Sequence, residues 1–184
     1  MALPIAVDAM GGDNAPAAVV AGAVRAAAEL DVDVALVGRR DAIERELGDS
    51  RASGRVSIVE APDVIAMHEH AAAAVRGKPN SSLVRTCALV AEGAASAAVS
   101  AGNSGAMLAA ALFTVKRIQG VARPAIGASF PSAGGNTFVL DVGANTDCKP
   151  EWLAQFALMG DVYARTMLGV VTPRVALLSN GEEA

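Results

Sequence analysis

A chain of 184 residues with a formal net charge of −4 at pH 7 is long enough for one α/β domain with its own core, and too acidic for a general nucleic-acid binder. Hydrophobic residues make up 53% of it but aromatics only 3%, which favours Ala-rich helices packed on a Val/Leu sheet and excludes the aromatic, basic surfaces of single-strand nucleic-acid readers. Cys87 and Cys148 form neither a CxxC pair nor a disulfide framework, and the opening Met1-Ala2-Leu3-Pro4-Ile5 has no basic region of a signal peptide, so a reducing cytoplasm is the expected compartment.

Apolar runs alternate with helical patterns along the chain. Ile5-Ala6-Val7 reads as a strand that exits into Met10-Gly11-Gly12-Asp13-Asn14-Ala15-Pro16, and Ala17 to Glu29 as a helix with Pro16 near its start. Asp33 to Val37 is the next strand, Asp41 to Leu47 a short helix closed by Gly48, and Val56 to Val59 the third strand. A helix is predicted from about Ala66 to Val75, followed by the basic turn Arg76-Gly77-Lys78-Pro79-Asn80. Ser81 to Glu92 is helical with Asn80 or Ser81 as its cap.

The uncharged run from Gly93 to Val115 has the length of a membrane span, but Ser100-Ala101-Gly102-Asn103-Ser104-Gly105 at its centre would leave polar backbone unsatisfied in lipid. It reads as a strand at Ala97 to Ser100, a loop, and a helix from Ser104 to Lys116. Pro124 to Phe130 and Thr137 to Leu140 flank the hairpin signal Ser132-Ala133-Gly134-Gly135-Asn136, a long helix covers Glu151 to Leu168, and Arg174 to Leu178 is a last strand. The pattern predicts a doubly wound α/β domain, with a largely parallel sheet and helices on both faces. Because the chain stops soon after that strand, at Ser179-Asn180-Gly181-Glu182-Glu183-Ala184, the fold is expected to be incomplete at its C-terminus.

Leu140 to Pro150 is the richest segment: a strand ending on Asp141, a Gly143-Ala144-Asn145 turn, then Asp147, Lys149 and a proline suited to a first helical turn. Strand, small-residue loop and helix start together make an anion site in open α/β sheets. Asp8 to Asp13 and Ser100 to Gly105 are two further glycine-rich strand exits, and ligands of such sheets bind beyond the carboxyl ends of strands. Neither the GxGxxG nor the GxxxxGK[ST] spacing is present, which argues against dinucleotides and ATP. His68 and His70 lie two apart, on different faces of a helix, so no joint metal site is expected, and Cys148 reads as a small packed residue.

Val7 to Asp13, Val99 to Ala106, Arg123-Pro124-Ala125, Leu140 to Pro150, Gln155-Phe156-Ala157 and Gly181-Glu182-Glu183 follow one another along the whole chain, and this set resembles the bacterial phosphate acyltransferases of the PlsX type. The resemblance implies an isocitrate/isopropylmalate dehydrogenase-like or phosphotransacetylase-like α/β fold, of which residues 1–184 form the N-terminal portion. It also implies conversion of acyl-[acyl carrier protein] and inorganic phosphate to acyl phosphate for phospholipid synthesis. No cofactor or metal is implied, nor any nucleic acid. The implied protein is a cytoplasmic homodimer that also touches a membrane glycerol-phosphate acyltransferase. Asn14 stands where that family usually has His, which leaves position 14 without a proton-transfer group.

The implied reaction is attack by a phosphate oxygen on a thioester carbonyl, which needs no enzyme nucleophile and fits the absence of Cys-His and GxSxG arrangements. Catalytic candidates are Asp8, Asp141, Asn145 and Lys149. Gly11, Gly12, Asp13, Gly102, Asn103, Ser104, Gly105, Gly143, Ala144 and Glu182 are candidates to bind phosphate or substrate. The backbone N–H groups of Gly102 to Gly105 and Gly143 to Asn145 are the expected cradles, and Lys78, Arg123 and Lys149 the charge neutralisers. Lys78, Ser81 and Ser82 enter as a Lys-x-x-Ser-Ser element carried by the resemblance, and Arg39, Arg40, Lys116 and Arg117 as a basic patch for an acidic carrier. Two alternatives stay open: a phosphotransacetylase-like enzyme using acyl-CoA, and a catalytically silent anion- or nucleotide-binding module. The plain structural readings also remain, with Asp141 capping its own turn, Arg123 solvated, and Lys149 lying over the next helix.

Overall fold

The computed structural model describes residues 2–48, 54–145 and 147–178, which fall into two compact units, Met1–Lys116 and Arg117–Ala184. Glu182, the Gly181-Glu182-Glu183 motif and the Ser179-Asn180 pair lie outside the described residues.

The first unit runs β1 (Ile5–Asp8), α1 (Ala17–Glu29), β2 (Val34–Gly38), α2 (Arg40–Leu47), β3 (Val56–Glu60), α3 (Ala71–Gly77), α4 (Ser82–Ala91), β4 (Ala97–Val99) and α5 (Ser104–Thr114). Its strands form one parallel sheet in the order β3-β2-β1-β4. β2, with a neighbour on each side and helices above and below, is buried at all five positions, which explains its unbroken apolar sequence Val34-Ala35-Leu36-Val37-Gly38. Val34 and Leu36 face α1 and α2, meeting Val20, Ala23, Ala27, Ile43 and Leu47. Ala6 and Val37 point to the other face and meet Leu89 of α4. Helices therefore cover both faces, as a doubly wound sheet requires. Ala23 and Ala27 continue the stripe begun by Val20 at helical spacing, and their small side chains let α1 sit close to the sheet.

The chain builds outward from β1 to β3 and then returns to add β4 on the far side of β1. The strand order thus reverses between β1 and β4, and in open α/β sheets that is where a crevice opens beyond the strand ends.

The second unit contains β5 (Gly127–Ser132), β6 (Gly135–Leu140) and α6 (Pro150–Met167). β5 and β6 pair antiparallel from Gly127↔Leu140 to Ser132↔Gly135, so the turn contracts to Ala133-Gly134, with Gly135 at φ +122°. Phe138 of β6 stacks on Tyr163 of α6 at 4.0 Å between ring centroids and 11° between planes, and Phe156 is the buried anchor of the helix.

Three sequence expectations move. The helix predicted from Ala66 begins at Ala71, because Glu69 Oε1 takes the Ala66 N–H at 2.7 Å while Asn103 Nδ2 takes the Met67 and Glu69 carbonyls. Those carbonyls would otherwise accept the next helical turn. Pro124 to Ile126 stays out of β5, since the Ile126 N–H goes to Asp141 Oδ1 at 3.0 Å. Arg174 to Leu178 has no ladder partner among the described residues, and Val175, Leu177 and Leu178 are exposed; an extended segment becomes a strand when a neighbour supplies its hydrogen bonds. The uncharged Gly93–Val115 run resolves into β4, a loop and α5, and no helix of the described residues is long and apolar enough to cross a membrane.

Leu36 has no exposed surface and lies at the centre of the α1/α2 face. Leu36→Ala is expected to lower the unfolding free energy by about 2–5 kcal/mol in urea titration, with the slope on denaturant unchanged.

Candidate phosphate-binding loops

In the first unit the exits of β1 and β4 meet at the switch point. Asp8, the last residue of β1, is 1% exposed. Its Oδ1 accepts the Met10 N–H at 3.2 Å and its Oδ2 accepts the Ser100 hydroxyl at 2.7 Å. Ser100 Oγ in turn accepts the Gly102 N–H at 3.0 Å. A buried carboxylate that receives neutral donors thus ties the two loops together.

The glycines are dictated by this closeness. A Cβ on Gly11 would stand 2.5 Å from Asp8 Oδ2, 2.8 Å from Ser100 Oγ and 2.9 Å from the Gly102 nitrogen. Gly12 combines φ +106° with a position against Ala101, where a Cβ would lie 3.1 Å from the Ala101 Cβ. Gly11, Gly12 and Gly102, all singled out in the sequence, are therefore brought together. Asp13 is exposed at the loop tip.

Asn103 caps α5 by accepting the Ala106 N–H at 3.0 Å through Oδ1. Its Nδ2 donates to the Met67 and Glu69 carbonyls at 2.9 and 3.1 Å, pinning the loop before α3 beside the start of α5. Ser104 and Gly105, the first two residues of α5, are exposed, and N–H groups at a helix start have no intrahelical carbonyl to reach. Of the expected Gly102-to-Gly105 cradle, the Gly102 N–H is already used by Ser100.

Lys78 is not a free cation. Its Nζ donates to Glu69 Oε1 at 2.7 Å and to the Val64 carbonyl at 2.9 Å. Its ammonium, then the Ala66 N–H, holds the Glu69 carboxyl below the ordinary glutamate range. Ser81 caps α4 by accepting the Val84 N–H at 3.4 Å, and both Ser81 and Ser82 are buried, with the Ser82 N–H on the Asp63 carbonyl. In the proposed carrier patch, Arg40 is paired with Glu44 and Glu60.

The second unit holds the Asp141 loop. Asp141 Oδ1 accepts the Ile126 and Ala144 N–H groups, both at 3.0 Å, and Oδ2 accepts the Asn145 backbone N–H at 2.7 Å and its side-chain Nδ2 at 2.9 Å. The Ala144 and Asn145 donors expected to cradle phosphate are thus engaged by the chain's own carboxylate. Burial pushes this carboxyl up, but the four donors together outweigh it and hold the group below the usual aspartate value. Gly143 takes φ +120° to make the turn. Asn145 Nδ2 also donates to the Pro124 carbonyl at 2.9 Å, and Gln155 Oε1 accepts the Ala122 N–H at 2.8 Å, so residues 122–126 are fastened to the turn and to α6.

Lys149 caps α6 through its backbone, and its Nζ lies 5.7 Å from the Trp152 ring centroid while the Arg123 guanidinium lies at 4.9 Å. Both cations are exposed and share one ring. Ser100, Glu69 and Trp152 were not among the sequence-selected site residues. Ser100 opens the Ser100-to-Gly105 loop, and a hydroxyl directly after a strand, ahead of a glycine, is the signal that identifies it. Nothing local marks Glu69 or Trp152, whose partners are set by tertiary contacts. Cys87 is buried in α4, and burial, followed by the nearby Asp8 carboxylate, raises its thiol to about 11.

Gly11→Ala is expected to destabilise the first unit by about 1–3 kcal/mol, since Asp8, Ser100 and the Gly102 backbone are mutually hydrogen-bonded and have little room to move. Thermal melting checks this. Asp141 has a lowered native value, so its contribution is complete above the ordinary 3.8 and disappears as pH falls through the native value. The stability gap between wild type and Asp141→Asn is therefore expected at pH 7 and should narrow progressively as pH falls below 3.8; a gap that does not narrow at all in acid would refute the assignment. Cys87 should resist iodoacetamide in the native chain at pH 8 and react after unfolding, as read by mass spectrometry of the peptide.

The fatty acid synthesis protein family profile matches residues 3–184. The chain is 54% identical over 181 residues to the phosphate acyltransferase of Pelotomaculum thermopropionicum, covering 98% of this chain and 53% of that protein. It is 54% identical over 180 residues to the phosphate acyltransferase of Trichlorobacter lovleyi (97% of this chain, 52% of that one). With the phosphate acyltransferase of Geobacter sulfurreducens the identity is 53% over 180 residues, at the same coverages of 97% and 52%. The chain spans about half the length of these curated relatives. With a family profile covering all but the first two residues, the chain belongs to the fatty acid synthesis protein family.

Proposed function

We propose that this chain forms the phosphate-handling, N-terminal portion of an acyltransferase that makes acyl phosphate from acyl-[acyl carrier protein] and inorganic phosphate, for phospholipid synthesis. The observation that carries the reading is the meeting of the β1 and β4 exit loops at the sheet's switch point, directly before the start of α5. The names of relatives at 53–54% identity support it. In this reading phosphate rests over the Ser104 and Gly105 N–H groups, where helix-start donors favour an anion. A phosphate oxygen attacks the thioester carbonyl carbon, the C–O bond forms as the C–S bond breaks, and the phosphate's proton ends on the departing carrier thiol. No enzyme thiol takes part, consistent with the burial of Cys87 and its raised value. Arg123 and Lys149, exposed over the Trp152 ring, are the candidate charge neutralisers within the second unit. The working protein is a cytoplasmic homodimer, peripheral to the membrane, that passes its product to a glycerol-phosphate acyltransferase.

The test is incubation of the chain, alone and fused to the remaining half of the Pelotomaculum relative, with long-chain acyl carrier protein and phosphate. Acyl phosphate from the carrier thioester supports the reading. Product from acyl-CoA alone would indicate a phosphotransacetylase-like enzyme, and phosphate binding without product a silent binding module. Lys149→Ala in the active form is expected to raise KM for phosphate several-fold. Trp152 is the chain's single tryptophan, so its emission should change on phosphate addition in the wild type and much less in that variant.

A further inference from the structure

Among the described residues, Ser100 is the side chain that couples the buried carboxylate at the end of β1 to the backbone leading into α5. Asp8 Oδ2 faces it at 2.7 Å and accepts, so the hydroxyl proton points at the carboxylate and an oxygen lone pair is left for the Gly102 N–H at 3.0 Å. The relay runs one way, because a serine hydroxyl has one proton to give and it goes to Asp8 Oδ2. The loop cannot slide toward β1 to compensate for a lost bond. A Cβ on Gly102 would already lie 3.1 Å from Ser100 Oγ and 3.3 Å from the Gly11 Cα, so the two backbones are near van der Waals contact. On its other side the loop is held by Asn103, whose amide caps α5 and clasps the Met67 and Glu69 carbonyls. Gly102 is thus clamped between Ser100 and Asn103, and the next residues are Ser104 and Gly105.

We propose that Ser100 is a positioning residue for phosphate: by holding the Gly102 N–H it sets the direction in which the Ser104 and Gly105 N–H groups present themselves, without touching the anion. The inference rests on the reading that phosphate docks at the start of α5. It deepens that reading by naming what orients the dock and by removing the Gly102 N–H from the anion's own donors. Ser100 also separates the Asp8 negative charge from the loop through a hydroxyl, so a bound dianion meets donors and not a bare carboxylate.

The experiment is a titration of the 15N-labelled chain with inorganic phosphate, following the Gly102, Ser104 and Gly105 amides by NMR in wild type, Ser100→Ala and Ser100→Thr. The wild type is expected to show saturable shifts at Ser104 and Gly105. Ser100→Ala should raise the phosphate Kd at least fivefold and speed hydrogen exchange at Gly102, while exchange in the β1–β3 core stays as in wild type. Ser100→Thr keeps the hydroxyl and should restore the Kd to within about twofold. Saturable wild-type shifts together with an unchanged Kd in Ser100→Ala would overturn the role of Ser100 and leave the docking site standing. Absence of any shift at Ser104 and Gly105 in the wild type would overturn the docking site itself, and the role of Ser100 with it. Should Ser100→Ala lose the core protection, Ser100→Thr decides: weakened phosphate binding in that folded variant also overturns the proposal.

Discussion

Asp8 places a carboxylate at the buried C-terminal end of a central strand, where the solvent it has lost must be replaced by hydrogen bonds from the chain itself. Two donors answer: the Met10 N–H folds the β1 exit back over the carboxylate, and the Ser100 hydroxyl brings in the exit of β4. β1 and β4 are adjacent because the strand order reverses between them, so this buried carboxyl group sits where the fold opens. Gly11, Gly12 and Gly102 follow from this need. The two loops can reach the same carboxylate provided that neither carries a side chain between them.

The second unit solves a similar problem with Asp141. That carboxylate directly follows a strand and turns back on its own loop, collecting the Ala144 and Asn145 N–H groups and the Ile126 N–H from the opposite side. The outcome differs in one respect. Asp8 uses up one N–H of the glycine loop at second hand, through Ser100, and leaves the start of α5 open, whereas Asp141 fills its turn directly. The segment that looks most like an anion cradle in the sequence is therefore organised around an internal anion, and the cations that flank it, Arg123 and Lys149, gather instead on the Trp152 ring. The structural reading of Asp141 as the cap of its own turn matches the hydrogen bonds it accepts.

Much of the architecture was legible because it rests on local rules. Ala17 to Glu29 carries an apolar stripe at helical spacing, Val34 to Gly38 is apolar throughout because both faces are covered, and Ser81 is one of the two caps expected for α4. Legibility failed where distant groups take over backbone donors and acceptors. Asn103, more than thirty residues away, withholds the Met67 and Glu69 carbonyls from a helix, and Asp141 draws Ile126 out of a strand. Lys78 reads as a solvated or phosphate-facing cation until Glu69 and the Val64 carbonyl claim its ammonium.

The sequence by itself determined the α/β alternation, the doubly wound sheet, the three glycine-rich strand exits and membership of a family, because periodicity, caps and motif order are properties of neighbouring residues. Tertiary structure alone decided which of those exits share a carboxylate, that Ser100 is the link, and that the Asp141 turn is filled from within. Those outcomes depend on strand order and on which hydrogen-bond donors lie within about 3 Å of a buried acceptor, and neither is a property of any local window of residues.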